Sequence, residues 1–183
     1  MTALDVVAVV GNPRPASRTA GLATAVLDAV LARLGVEAAD PPGALVDLGA
    51  LLATAGAPLG EGSADRYAGP LARLHAARLA VVATPIYKGS YTGLLKAFLD
   101  HVAGGALRRT VAVPVITVGS PAHSLAADVH LRPLLLELGA VLPTPALVVP
   151  EKDLADPGAV IEAWLDVAAV LLRSVVEAVA VGS

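Results

Sequence analysis

Apolar residues follow two alternating patterns along this chain: short continuous runs, and longer segments in which they recur every three or four positions. The continuous runs predict strands buried on both faces, at residues 5–10, 44–48, 79–83, 110–118 and 146–149. The helical spacing predicts amphipathic helices at residues 22–34, 67–77, 94–102, 122–138 and 157–181. We expect Gly35 to end the first of these helices and Asp156 to be the N-cap of the last. Because strands and helices alternate, we expect an α/β fold with a doubly wound parallel sheet, as one domain over residues 1–183.

Three features interrupt this pattern. Pro114 lies inside the fourth predicted strand, an awkward position because proline has no N–H to donate to a sheet. Pro133 lies inside a predicted helix, so we expect a kink or a bulge near residues 128–130. Residues 49–65 are rich in Gly, Ala and Pro, which predicts a long loop with room for one helical turn.

Composition excludes several classes of protein. Hydrophobic residues make up 56% of the 183 positions and charged residues 16%, so most of the chain is not disordered. A net charge of −3 without any Lys/Arg cluster argues against a nucleic-acid partner, and the absence of cysteine excludes disulfides and thiolate chemistry. No apolar run is long enough to span a membrane, and the N-terminus lacks signal-peptide features, so we expect a cytoplasmic protein. The high apolar content predicts a homo-oligomer.

Three polar loops follow predicted strands, at residues 11–19, 84–93 and 118–124. The carboxyl ends of parallel strands meet at one edge of a sheet, where open α/β sheets bind their ligands. We therefore expect the three loops to form a single crevice.

The first of these loops has the residues of an anion site. Ser17 can cap the following helix and Thr19 lies within its first turn, where hydroxyl and free N–H groups favour an anion. Arg14 and Arg18 add positive charge. The sequence matches neither the P-loop motif GxxxxGK[ST] nor the dinucleotide-binding motif GxGxxG. A phosphate site made partly of hydroxyl groups is better suited to a mononucleotide. The alternative is an ordinary capped helix with solvated arginines.

The second loop combines a glycine, three hydroxyl side chains and a cation: Gly89, Tyr87, Ser90, Tyr91 and Lys88. A planar polar ring could rest on such a loop and accept hydrogen bonds from its backbone. An ordinary strand-to-helix turn is the alternative interpretation.

Two of these motifs carry a resemblance to a known family. GNPRPASRT at 11–19 and TPIYKGSYTGLLKAFLD at 84–100 resemble the NADPH-dependent FMN reductases of the flavodoxin-like fold. Residues 122–134 resemble, more narrowly, the FMN reductases that serve two-component sulfonate monooxygenases. The resemblance implies strand order 2-1-3-4-5, FMN at the carboxyl edge, NADPH or NADH as hydride donor, and release of reduced flavin to a partner monooxygenase.

The resemblance also assigns residues. It places Arg14, Ser17 and Thr19 on the FMN phosphate, with Asn12 at a position where the family usually has serine. The isoalloxazine ring would be lined by Pro85, Ile86, Tyr87, Lys88, Gly89 and Ser90, and closed on its other side by Gly119 and Ser120. No catalytic acid or base and no metal is expected, because hydride transfer is the chemistry of the cofactors.

In the sulfonate-linked members, a one-residue insertion makes a π-bulge at a tetramer interface. Val129 and His130 fall at the corresponding position here, so a homodimer or homotetramer is expected. Two other functions stay open at this point. One is a reductase of the same fold that retains FMN and reduces quinones, azo dyes or metal ions. The other is a non-enzymatic flavin-binding electron carrier.

Overall fold

The computed structural model describes residues 3–40, 44–55 and 63–181. Its main sheet has five parallel strands: β2 (Val6–Val10), β4 (Leu45–Asp47), β5 (Leu79–Pro85), β6 (Val111–Val118) and β7 (Leu147–Pro150). Their order across the sheet is β4-β2-β5-β6-β7, which is 2-1-3-4-5 when these strands are counted along the chain. The predicted α/β class and the implied strand order are therefore confirmed.

A second, two-stranded parallel sheet was not predicted. It pairs β1 (Ala3–Leu4) with β3 (Glu37–Ala38). Strands of two residues are too short to show an alternating pattern, so the sequence carries no signal for them.

The helices cover both faces of the main sheet. They are α1 (Arg18–Leu34), α2 (Leu48–Ala55), α3 (Ser63–Ala76), α4 (Gly93–Leu99), α5 (Arg132–Glu137) and α6 (Gly158–Val181). Helices α1 and α6 pack on one face, where they meet Ala8 and Val10, while Val7 and Val9 point into the opposite core with the other helices. No helix in the described ranges meets the length and hydropathy that a membrane span requires.

The prediction of a loop over residues 49–65 was wrong at both of its ends. Residues 48–55 form α2, whose first turn is capped by the Asp47 carboxylate: Oδ1 accepts from the N–H groups of Gly49 at 2.9 Å and Ala50 at 3.3 Å. The cap and the run of Leu and Ala outweigh the glycine content. Helix α3 already begins at Ser63, and residues 56–62 lie outside the described part of the chain.

Pro114 is tolerated in β6 because of the direction in which its nitrogen faces. The N–H of Val111 bonds to Arg78 on the β5 side, and that of Ala112 bonds to Val141 on the other side. By alternation, the Pro114 nitrogen faces away from β5. Pairing with β7 starts only one residue later, at Val115 opposite Leu147, so no hydrogen bond of the sheet is lost at Pro114.

The bulge expected near residues 128–130 is present. Ala127–Leu131 is a π-helix, and the N–H of Arg132 bonds to the carbonyl of Ala127, five residues back. It leads directly into α5, in which Pro133 occupies the first turn. The extra residue lets the chain accommodate a proline that lacks an N–H and would crowd the turn before it.

The ends of two helices test the predicted caps. Ser17 is the N-cap of α1 and Gly35, at φ +70°, ends it, as expected. The final helix begins one position later than predicted: the Pro157 carbonyl accepts from Ile161 N–H at 3.0 Å, so Pro157, and not Asp156, occupies the capping position.

Candidate active site

A cleft of about 300 Å³ lies at the carboxyl edge of the main sheet. Most of the first predicted loop forms one wall, and residues at or just beyond the carboxyl ends of β5, β6 and β7 form the rest. The lining residues are Asn12, Arg14, Pro15, Ala16, Ser17, Arg18, Thr19, Pro85, Tyr87, Thr117, Glu151 and Leu154. The structure thus brings two of the three predicted loops together.

The N-terminus of α1 supplies hydrogen-bond donors to this cleft. Ser17 Oγ accepts from Ala20 N–H at 3.2 Å, so the hydroxyl proton is free to be donated. The Ser17 carbonyl accepts from Ala20 and Gly21. Arg18 and Thr19 have the two first-turn N–H groups for which the described residues provide no acceptor. No acidic residue lies in this turn, so no side chain of the first turn neutralises the positive end of the helix dipole.

A buried side-chain pair holds the first loop in shape. Asn12 donates from Nδ2 to Thr19 Oγ1 at 3.0 Å, and its Oδ1 accepts from Arg14 N–H at 3.0 Å. Both Asn12 and Thr19 are buried. The amide of Asn12 therefore fixes the loop against the helix, while the Thr19 hydroxyl keeps its own proton to donate.

Asp47 is a second anchor, which sequence reasoning missed. Its Oδ2 accepts from the N–H of Ala16 at 2.9 Å, and Ala16 has φ +49°. The same carboxylate caps α2. One side chain therefore joins β4, α2 and residues 11–19, which we call the anion loop. A carboxylate at the carboxyl end of a strand was the available signal. Gly49 permits the close approach, because a Cβ there would lie 2.5 Å from the Asn12 carbonyl oxygen.

Threonines close the second predicted loop. Thr92 caps α4 by accepting from Leu95 N–H at 3.2 Å and donates to the Gly11 carbonyl. The N–H of Thr92 donates to Thr84 Oγ1 at 3.2 Å. A Cβ at Gly11 would lie 2.5 Å from the Cβ of Leu95. The end of β2 and the start of α4 are therefore packed directly against one another.

Residues 87–90 form a tight turn at the tip of this loop. Tyr87 and Ser90 exchange backbone hydrogen bonds of 2.9 and 3.2 Å. The two central residues have positive φ, +53° at Lys88 and +83° at Gly89, as in a type I′ turn. Ile86 and Pro85 are buried beneath the turn, while Tyr87 is 46% exposed, so an aromatic ring stands at the rim of the cleft.

The third loop lies in an adjoining cleft, not in the first one. Gly119 and Ser120 line a second space of about 450 Å³ with Lys152. Ser120 Oγ accepts from Ala122 N–H at 3.3 Å and caps a short 3₁₀ turn. The single predicted crevice is thus two neighbouring clefts, and Glu151 lines both of them. Thr117, Glu151 and Leu154 were not predicted. Thr117 lies within β6, and no local sequence pattern indicates which residues the turn after β7 places at the cleft.

The first cleft has the donors that a phosphate monoester requires. Arg14 and Arg18 line it together with the hydroxyl residues Ser17 and Thr19, at a helix N-terminus with two free main-chain N–H groups. The exposed ring of Tyr87 and the turn at 87–90 offer a surface on which a flat heterocycle can rest. The residues present therefore fit FMN.

Comparison with known proteins agrees with this geometry. The sequence model of the family described as NADPH-dependent FMN reductase matches residues 4–153. This chain belongs to that family. It is 34% identical over 154 residues to the NADH-dependent FMN reductase SfnF of Pseudomonas fluorescens (strain Pf0-1), covering 84% of this chain and 80% of that protein. It is 32% identical over 156 residues to SfnE of Pseudomonas putida, also an NADH-dependent FMN reductase, covering 85% and 81%.

Solved structures give the same result. A crystal structure of an NADH:FMN oxidoreductase (EMOB) in its apo form superposes with a TM-score of 0.68 at 34% identity, covering 95% of this chain and 87% of that one. A flavodoxin from the domain Archaea superposes with a TM-score of 0.54 at 11% identity, covering 96% and 98%, which supports the flavodoxin-like fold alone. The FMN reductase is thus an oxidoreductase that uses FMN together with NADH or NADPH.

Proposed function

We propose that this FMN reductase binds FMN in the cleft between the anion loop and Tyr87, reduces it with NAD(P)H, and releases it to a flavin-dependent monooxygenase. The observation that carries the proposal is the convergence of Arg14, Ser17 and the N-terminus of α1 beside Pro85 and Tyr87 in one cleft. One part of this cleft is complementary to a phosphate and the neighbouring part to a flat ring.

In this proposal the residues of the first loop hold the phosphate. Arg14 and Ser17 contact it directly, together with the N–H groups of Arg18 and Thr19 and the hydroxyl of Thr19. Asn12 acts by fixing Thr19 and the N–H of Arg14. Charge-assisted hydrogen bonds of this kind favour the phosphorylated flavin over riboflavin.

The second and third loops position the ring. The main chain of the 87–90 turn approaches the ring with little steric hindrance at Gly89, where no Cβ projects, and Lys88 places a cation at the rim. Pro85, Ile86, Tyr87 and Ser90 complete this side, and Gly119 with Ser120 closes the other. Bound FMN supplies the chemistry by accepting a hydride at N5. The protein contributes by holding nicotinamide and flavin at reacting distance.

The role of supplying a monooxygenase is supported by residues 122–134. This stretch resembles the FMN reductases of two-component sulfonate monooxygenases, and it contains a π-helix, the feature that marks the tetramer interface of those members. We propose further that the chain forms a homo-oligomer through this segment and the end of α5, where Leu125, Val129 and Leu136 are 69%, 60% and 56% exposed. A second copy of this chain is the proposed partner.

An anaerobic titration tests the proposed function. FMN is added to the purified protein and then NADH or NADPH, while absorbance in the flavin band is followed. We expect saturable binding of FMN, bleaching by at least one nicotinamide, and loss of the flavin on gel filtration. Arg14→Ala should weaken the binding of FMN and leave that of riboflavin nearly unchanged.

Other outcomes would indicate the other functions. A flavin that stays bound through gel filtration and turns over quinones would indicate a reductase that retains FMN. Binding of FMN without bleaching by either nicotinamide would indicate an electron carrier. No binding of FMN at all would refute the proposal.

A further inference from the structure

Glu151 occupies a special position at the proposed flavin site. It follows β7 directly. It lines both the cleft of about 300 Å³ beside the anion loop, which we call the anion cleft, and the cleft of Gly119 and Ser120. Among the described residues that line the anion cleft, it is the only one with an acidic side chain. Its carboxylate oxygen Oε1 lies 3.8 Å from the point that a Cβ on Gly119 would occupy, so it stands beside the loop expected to cover the ring.

The backbone holds Glu151 in this position, but no cation neutralises it. Glu151–Asp153 is a 3₁₀ turn in which the Glu151 carbonyl accepts from Leu154 N–H at 3.4 Å. The side chain is exposed, and within residues 3–40, 44–55 and 63–181 its carboxylate forms no ion pair with Arg14, Arg18 or any other cation. Glu151 therefore brings a negative charge without an ion-pair partner to the lining of the cleft that contains the anion site.

This arrangement has an electrostatic consequence. A compact space of about 300 Å³ is roughly 7 Å across, which is less than the Debye length of about 10 Å at 0.1 M salt. Charges on opposite walls of the cleft are therefore only partly screened from one another. A phosphate bound at the N-terminus of α1 is attracted by the arginines and the helix dipole and repelled by Glu151.

We propose that Glu151 sets the affinity of the site for the phosphate ester, keeping it low enough for the flavin to leave. The inference rests on the proposed function, since it takes FMN as the ligand. It differs from that function in naming a residue that opposes binding instead of supporting it. The repulsion acts on the phosphate and not on the ring, so its effect should be absent for riboflavin.

The test compares Glu151→Gln with the wild-type protein for two ligands, FMN and riboflavin, by fluorescence titration at low and high salt. We expect Glu151→Gln to bind FMN about 3- to 10-fold more tightly at low salt, because the repulsion is removed. Riboflavin affinity should stay within about twofold, and the gain for FMN should shrink in about 0.5 M salt, where charges are screened over a few ångströms. Glu151→Ala should behave in the same way.

Asp153→Asn is the matched control. It removes one negative charge from the same 3₁₀ turn, yet Asp153 lines neither cleft. We expect it to leave the affinity for FMN within twofold. An equal gain in Asp153→Asn would show a general effect of net charge and overturn the inference.

Two further results would also overturn it. Weaker binding of both flavins by Glu151→Gln would show that Glu151 holds the flavin by hydrogen bonds. Unchanged FMN affinity at low salt would show that the carboxylate is too distant to act. In each case wild-type FMN binding persists, so the proposed function would stand, whereas its own failure would appear as no FMN binding by the wild type.

Discussion

Ser17 illustrates how one residue can serve both the fold and the site. Its side-chain oxygen accepts from the N–H of Ala20, which stabilises the start of α1, and the remaining hydroxyl proton faces the proposed phosphate position. The two roles can be separated because glycine is tolerated as an N-cap much better than alanine.

We predict that Ser17→Ala lowers the free energy of unfolding by about 1 kcal/mol, whereas Ser17→Gly lowers it by a few tenths. Both variants lose the hydroxyl, so both should bind FMN about tenfold more weakly, as expected for a lost hydrogen bond to a charged group worth about 1.5 kcal/mol. Denaturant unfolding and FMN titration measure the two effects. Unchanged FMN affinity in both variants would restrict Ser17 to capping.

Tyr67 is a buried residue whose ionisation couples stability to pH. Its ring meets those of Phe98 and His101 edge-on, each at a centroid distance of 5.3 Å. Burial raises the pKa of Tyr67 above its usual value near 10, and the charge of Arg66 offsets part of the rise. The folded state therefore favours the neutral phenol. This contribution to stability is complete below pH 10 and is lost as the pH rises through the raised pKa.

We accordingly expect the free energy of unfolding to fall above pH 10, and to fall less steeply in Tyr67→Phe, which cannot ionise. Urea unfolding at pH 8, 9.5 and 10.5 measures the two slopes. The difference between pH 8 and 9.5 should be small in both proteins. Equal slopes above pH 10 would mean that Tyr67 does not ionise differently in the folded and unfolded states.

Among the elements, the junction of α2 with the anion loop leaves no room for an added side chain. A Cβ on Gly49 would lie 2.5 Å from the carbonyl oxygen of Asn12 and 2.7 Å from the carbonyl carbon of Arg14, both of which are backbone atoms. Gly21 lies in α1 close to the same site, but a Cβ there would meet nothing within 4 Å. Replacing each glycine by alanine therefore distinguishes a clash with the loop, expected only at Gly49, from the general effect of replacing a glycine in a helix.

Gly49→Ala should lower the free energy of unfolding by about 1–3 kcal/mol, because α2 or the loop must shift. It should also weaken FMN binding, since the displaced residues carry Arg14. Gly21→Ala should instead raise the free energy of unfolding by about 1 kcal/mol through helix propensity and leave FMN binding unchanged. Thermal unfolding measures the changes in stability of both variants, and FMN titration measures the changes in affinity. A Gly49→Ala protein as stable as the wild type would refute the tight junction.

At the scale of the whole molecule, two exposed apolar surfaces stand out. One is the segment with Leu125, Val129 and Leu136, and the other is on α6, where Val167 and Val170 are 67% and 72% exposed. The proposed homo-oligomer uses the first surface, because residues 122–134 carry both the resemblance and the π-helix. Comparing one substitution on each surface shows which of them is an interface.

We predict that Val129→Glu reduces the molecular mass in solution, because a charge buried between copies is costly. Val170→Glu, a matched change at a more exposed position, should leave the mass of the wild type unchanged. Sedimentation velocity at several protein concentrations measures both. Dissociation by Val170→Glu alone would place the interface on α6, and a monomeric wild type would exclude the oligomer.

The sequence alone determined the strands of the main sheet and the edge at which its polar loops lie. Runs such as Val6–Val10 are apolar at every position because both faces of a parallel strand are buried, so the strands can be identified from the sequence. The cap at Ser17, the turn at Gly89 and the bulge before Pro133 were also predictable, since each depends on local backbone chemistry. Helix α2 was misjudged, because its capping carboxylate belongs to the preceding strand.

Only the tertiary structure decided which residues distant along the chain contact one another. Asp47 reaches Ala16 across 31 positions, and Glu151 lines the same cleft as Arg14 although 137 positions separate them. Such contacts depend on how parallel strands are ordered and how far each turn extends beyond the sheet, and neither is encoded in a local pattern. The division of the expected crevice into two clefts follows from the same cause.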